Sequence, residues 1–167
     1  MEHKTYKLND TREVHLRPLK PSDREGLVQM YESMSKSALK WTKAPTRDEI
    51  DQIIQFPDYY ISLITEHDGR IIGHGEIKMD ADKKDGELNI HLHLDFQGVG
   101  LGTVMMIALM NDATAHDVYN VNLQVAAENR KAVRLFRKFG FQQRDTIKET
   151  FSGEVHDAYV MSKALKL

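Results

Sequence analysis

At 167 residues, 41% hydrophobic and 29% charged, the chain is long enough to bury a substantial core and ordinary in composition for a globular protein. A formal net charge of -2 excludes the strong basic field that nucleic acid or an anionic membrane would require. Cysteine is absent, which removes disulfides, thiolate metal sites and acyl-cysteine chemistry; no apolar run reaches membrane-spanning length, and the polar start Met1-Glu2-His3-Lys4 is not a signal peptide, so the cytoplasm is the expected location.

No repeat, low-complexity segment or linker divides the chain, so one domain over residues 1–167 is expected. Residues 1–12 are polar and lead into the fold. Val14-His15-Leu16-Arg17 alternates and reads as a first strand, closed by Pro18 and Pro21. Ser22-Asp23-Arg24-Glu25 has the form of a capping box, and Leu27, Met30, Tyr31 and Met34 recur at helical spacing over about residues 23–35. Thr46-Arg47-Asp48-Glu49 repeats the capping signal; Ile50, Ile53 and Ile54 give a second helix its apolar stripe, and Pro57 limits it. Tyr59 to Thr65 reads as a second strand, Asp68-Gly69 turns the chain, and Arg70 to Met79 returns as the third. The loop from Asp80 to Gly86 is polar.

The fourth predicted strand, Leu88 to His93, passes through Asp95-Phe96 into Gln97-Gly98-Val99-Gly100-Leu101-Gly102-Thr103 and then into the very apolar helix Val104 to Met110. A strand, a glycine-rich turn and a helix start together make a seat for phosphate. The first helical amides have no partner within the helix, the dipole is positive there, and glycine leaves the approach open. Val121 to Ala126 is the fifth strand. Asn129 is a good N-cap for a helix whose Ala132, Leu135, Phe136 and Phe139 share one face and which Gly140 stops. Residues 142–150 and 155–163 form a last hairpin around Ser152-Gly153. The order implies an α/β (α+β) fold with a single mixed sheet.

Two segments carry a family resemblance. Gln97-Gly98-Val99-Gly100-Leu101-Gly102 resembles the Gln/Arg-x-x-Gly-x-Gly/Ala signature of the GNAT superfamily of acyl-CoA N-acyltransferases, and Asn129…Ala132…Leu135-Phe136…Gly140-Phe141 resembles its Asn-x-x-Ala-x-x-Leu-Tyr-x-x-x-Gly-Phe. The run Leu123 to Asn129 and the ending Asp157 to Met161 are most similar to the polyamine and ribosomal-protein N-terminal acetyltransferases. The resemblance implies a mostly antiparallel sheet of about seven strands, splayed between the fourth and fifth, with four helices. It implies a bulge in the fourth strand that frees backbone groups of Leu92, His93 and Leu94 for pantetheine. It seats the diphosphate on the amides of Val99, Gly100, Leu101, Gly102 and Thr103, beside Gln97 and Gly98. It brings Asn129 to the pantetheine arm and Phe136 and Lys138 near the thiol and tail. The expected co-substrate is acetyl-CoA, with no metal. The expected acceptor is a primary amine on a small molecule or polyamine, or a protein N-terminus. Nucleic acid and membrane are not expected partners, and a homodimer is left open. A non-catalytic acetyl-CoA sensor on the same fold is the alternative.

Direct transfer requires an acceptor amine, with a pKa of roughly 10.4 if lysine-like, to lose a proton before attack. Glu87, at the head of the fourth strand, is the first choice of base, ahead of Glu76 and His91. The family tyrosine after Leu135 is Phe136 here, which cannot protonate a leaving thiolate; Tyr159 and Tyr119 are the substitutes considered. Where some relatives place a glutamate on the fifth strand, this chain offers Gln124. His91-x-His93 puts two imidazoles on one strand face, but no third ligand is fixed by spacing. The glycine spacing is not that of a dinucleotide fold, and no Gly-Lys-Ser/Thr exists for a P-loop. Trp41, Tyr31 and Tyr59 are candidates to line the acceptor pocket, and Asp80, Asp82 and Asp85 could attract a cationic amine.

Overall fold

The computed structural model describes residues 3–166, so the polar start at Met1 and Glu2 lies outside the described residues. Eight strands form one sheet in the order β1 (Lys4–Lys7), β2 (Glu13–Pro18), β3 (Tyr60–His67), β4 (Arg70–Met79), β5 (Asp85–Leu92), β6 (Asn120–Ala126), β8 (Glu154–Ala164), β7 (Gln142–Phe151). The helices are α1 (Arg24–Glu32), α2 (Arg47–Gln55), α3 (Leu101–Ala115) and α4 (Arg130–Lys138). The extra strand relative to expectation is β1. Its Lys-Thr-Tyr-Lys sequence is almost wholly exposed and shows no apolar alternation, yet it pairs in register with β2 from Lys4↔Leu16 to Lys7↔Glu13.

Two hydrophobic layers sandwich the sheet. On one face α1 and α2 bury Leu27, Met30, Tyr31 and Ile50 against Ile64 and Ile71. On the other, α3 is apolar all round and buries Leu101, Met105, Met106 and Leu109 against Leu63, Ile77, Leu88 and Leu123, as expected of a helix inside a core. Among the described residues no helix is long and apolar enough to cross a membrane.

The entry to α1 differs from the capping box read at Ser22 and Glu25. Asp23 accepts from the Lys20 amide (2.7 Å) and from the two terminal guanidinium nitrogens of Arg17, each at 2.7 Å, while Arg17 Nε donates to Glu66 at 2.6 Å. A buried ion-pair network therefore fixes the helix start to β2 and β3. At α2 the capping box forms as read: Glu49 N–H donates to Thr46 Oγ1 (3.1 Å), and Thr46 N–H donates to Glu49 Oε1 (3.2 Å).

Every strand pair is antiparallel except β5–β6, which is parallel and pairs only over Asp85↔Asn120, Gly86↔Val121 and Glu87↔Asn122. Beyond Glu87 the two strands part. The expected bulge in the fourth predicted strand is absent: β5 stays in register with β4 from Met79↔Gly86 to Gly73↔Leu92. Backbone groups are freed by divergence from β6 instead. His93 donates its N–H to Ile72 across the β4 edge (2.8 Å), so strand alternation turns the amides of Ile90 and Leu92 toward β6 and into the gap.

Candidate active site

The gap leads to the turn before α3. Gly98 and Gly100 adopt φ of 73° and 92°, left-handed values that glycine reaches without strain. This conformation brings a row of amides to the helix mouth. Among the described residues, no protein acceptor takes the N–H of Gly98, Val99, Gly100, Leu101, Gly102 or Thr103. The first turn of the helix carries no acidic side chain, and nothing lies within 4 Å of a Cβ built on Gly98. Six unsatisfied donors at the positive end of a 15-residue helix, with open space beside Gly98, suit a diphosphate.

A cleft of about 340 Å³ opens from this seat. Of the residues expected to hold a cofactor, Leu92, Gln97, Gly98, Gly100, Gly102, Thr103, Asn129 and Phe136 line it. Asn129 makes no side-chain cap bond to α4, so its amide remains available to a ligand. Other placements differ from expectation. The N–H of His93 is spent on Ile72, and its ring accepts from Asp95 N–H (3.2 Å). The Leu92 carbonyl accepts from Gln97 Nε2 (3.2 Å). Thus the His93 N–H is spent and the Leu92 carbonyl is partly engaged, while the Leu92 amide is free. Leu94 and Lys138 are exposed away from the cleft, and the Leu101 side chain is core. The Val99 carbonyl accepts from Asn9 N–H (3.0 Å). Lys131, not among the expected cofactor residues, lines the cleft from the second position of α4; its place beside the Asn129 motif was the available signal.

Trp41 and Thr42, between α1 and α2, form the opposite wall. Trp41 packs edge-on against Phe151 and His156, with ring centroids at 5.9 and 5.0 Å. Ser152 Oγ donates to the Lys40 carbonyl at 3.0 Å. The β7–β8 turn is thereby fastened to the α1–α2 segment. Tyr59 is exposed outside the cleft, and Tyr31 is buried behind it. In the acidic loop, Asp80 and Asp82 accept from the Lys84 amide (3.1 and 3.0 Å). Those carboxylates shape their own turn.

Glu87 is exposed at the closed end of the gap, in a separate depression with Asn122 and Gln124. Among the candidate bases Glu76 is the perturbed carboxyl: burial pushes it up to about 7, and its buried Oε2 has no partner among the described residues. His91 lines the cleft, and burial lowers it to about 4. His91 and His93 do not share a face: His91 bonds Tyr31 and Thr42, whereas His93 turns back on Asp95. Tyr159 sits near Arg137, and Tyr119 lies between Lys84 and Lys166; neither reaches the cleft.

Residues 27–141 match the family model described as Acetyltransferase (GNAT) family. The chain is 25% identical over 138 residues to a putative [ribosomal protein bS18]-alanine N-acetyltransferase of Bacillus subtilis, covering 82% of this chain and 88% of that protein. It is 24% identical over 163 residues to spermidine N(1)-acetyltransferase of Escherichia coli K12, covering 89% and 86%. Its fold is similar to that of spermidine N-acetyltransferase from Vibrio cholerae, solved in complex with CoA and spermine, with TM-score 0.74, 20% identity and coverage of 90% and 95%.

Proposed function

The chain belongs to the acetyltransferase (GNAT) family, and from that premise we propose that it transfers acetyl from acetyl-CoA directly to a primary amine. The acceptor is a polyamine or other small amine, or a protein N-terminus, in keeping with the names its relatives carry. The observation that carries this reading is the row of unpartnered amides from Gly98 to Thr103 at the mouth of the β5–β6 gap.

Acetyl-CoA, when bound, supplies an activated thioester carbonyl and a thiolate leaving group. The chain's residues do the rest. The amides of the glycine turn and Lys131 bind the diphosphate, and the Asn129 amide holds the pantetheine arm. The Ile90 and Leu92 amides, unpaired across the gap, are donors for negative charge developing on a carbonyl oxygen. Phe136 and Leu135 provide an apolar wall that limits water near the reacting groups. Glu87, set apart from the cleft, is not assigned the base; that role is assigned to His91 acting through Thr42, its hydrogen-bond partner on the cleft wall.

Thiol release measured on a panel of polyamines, small amines and N-terminal peptides tests the proposal. Release with at least one class is expected. Acetyl-CoA binding with no release for any acceptor would overturn the transferase reading in favour of a sensor.

A further inference from the structure

Behind the cleft lies an unbroken line of hydrogen-bonding side chains. Thr42 Oγ1, exposed in the cleft, is 2.9 Å from His91 Nε2. His91 Nδ1 is 3.1 Å from Tyr31 Oη, and the same hydroxyl is 2.7 Å from His74 Nδ1. His74 Nε2 is 2.8 Å from Ser62 Oγ. Ser62 is half-buried and lines a second cavity of about 290 Å³, bordered by Leu19, Lys20, Ile53 and Tyr60. The line thus joins two cavities through the buried interior.

One hydroxyl has one proton, so Tyr31 donates to one imidazole and accepts from the other. While both rings are neutral they hold opposite tautomers. Burial keeps them neutral: it lowers His74 to about 3 and His91 to about 4, and raises Tyr31 well above its usual range, helped by the Glu76 charge. An isolated imidazole so depressed is a poor acceptor for an ammonium proton near roughly 10.4. A ring that releases one proton as it gains another avoids the charged state altogether.

We propose that Thr42, His91, Tyr31, His74 and Ser62 form a neutral proton relay that takes a proton from the acceptor ammonium and returns one to the departing thiolate. The inference rests on the transferase reading above. In the forward step Thr42 Oγ1 takes the ammonium proton and passes its own to His91 Nε2. His91 Nδ1 passes its proton to Tyr31 Oη, Tyr31 passes its own to His74 Nδ1, and His74 Nε2 passes its own to Ser62. Ser62 releases a proton to water in the second cavity. The line, run in reverse, draws a proton from that water, protonates the thiolate and restores the first tautomers. The second amine proton leaves to solvent, so the net reaction releases one proton. This supplies the acid that Phe136 cannot. Thr42 and His91 line the cleft end; Tyr31, His74 and Ser62 act through His91 and are positioning residues.

The test combines histidine ¹⁵N spectra of the ligand-free full chain with kinetics. Near about pH 7, His74 and His91 should both be neutral, one carrying its proton on Nδ1 and the other on Nε2; identical tautomers, or an imidazolium, would overturn the relay. Tyr31→Phe should lower kcat by roughly 10²-fold and leave the KM for acetyl-CoA within about twofold. Ser62→Ala should lower kcat by roughly tenfold and shrink the solvent deuterium isotope effect, and Ser62→Thr should restore both. Wild-type kcat in folded Tyr31→Phe and Ser62→Ala would refute the relay. A wild-type protein that releases no thiol would instead refute the transferase reading.

Discussion

Burial holds the Glu76 carboxyl near 7 against an ordinary value of 4.5. The folded state therefore keeps this proton more tightly than the unfolded chain does. The resulting stability is complete below about 4.5 and is lost as pH rises through about 7, a loss of about 3 kcal/mol. His74 and His91 act in the opposite sense: held neutral by burial, their contribution is present above their ordinary 6.5 and is lost as pH falls through about 4 for His91 and about 3 for His74. Denaturant titration of wild type and Glu76→Gln across this range separates the two. The variant should gain on the wild type as pH rises, and a constant difference would contradict the buried carboxyl. At the phosphate seat, Gly98→Asp places a negative charge in open space at a left-handed position that aspartate tolerates better than most residues. Acetyl-CoA affinity measured by calorimetry should fall at least about 100-fold while the thermal midpoint stays within a few degrees. The glycines were legible as residues because only their spacing mattered. The proposed proton acceptor was not the first choice from sequence: Glu87 and His91 lie on one face of β5, and sequence does not tell which stretch of that face is roofed by α1 and which is left to solvent.

At the level of elements, two joints control the site. The Arg17–Asp23–Glu66 network ties the start of α1, and hence Tyr31, to the sheet. Arg17→Met strips the partner from a largely buried Asp23 and should cost about 3–5 kcal/mol in chemical denaturation. A loss below about 1 kcal/mol, as for an exposed pair, would contradict the burial. The other joint is the start of α4. An asparagine used as a cap costs about 0.5–2 kcal/mol when changed to alanine, but Asn129 makes no such bond. Asn129→Ala should therefore leave the melting temperature nearly unchanged and weaken acetyl-CoA binding about tenfold, roughly one hydrogen bond. The reverse pattern would return Asn129 to a capping role. The α2 capping box was readable because both partners are local. The α1 entry was not, because the partners of Asp23 come from β2 and β3, remote in sequence. The short exposed strand β1 was missed because an edge strand needs no apolar alternation.

For the molecule as a whole, apolar periodicity and glycine punctuation sufficed to order the helices and strands, and the two motif segments sufficed to place the gap. They did not show how the gap makes backbone groups available. Divergence of β6 after Glu87, with β5 unbroken against β4, does this without a bulge. Such a feature is a property of three strands together and has no signature in any one of them. Fastening of the β7–β8 turn to Lys40 and Trp41 likewise joins segments over a hundred residues apart. The gap, the glycine turn and the helix mouth converge on one claim, that free amides from Gly98 to Thr103 grip the diphosphate. Titration of ¹⁵N-labelled protein with acetyl-CoA tests it most directly. The amide signals of Gly98, Val99, Gly100, Leu101, Gly102 and Thr103 should move together and saturate with the binding isotherm; binding that leaves those six signals in place would contradict the account.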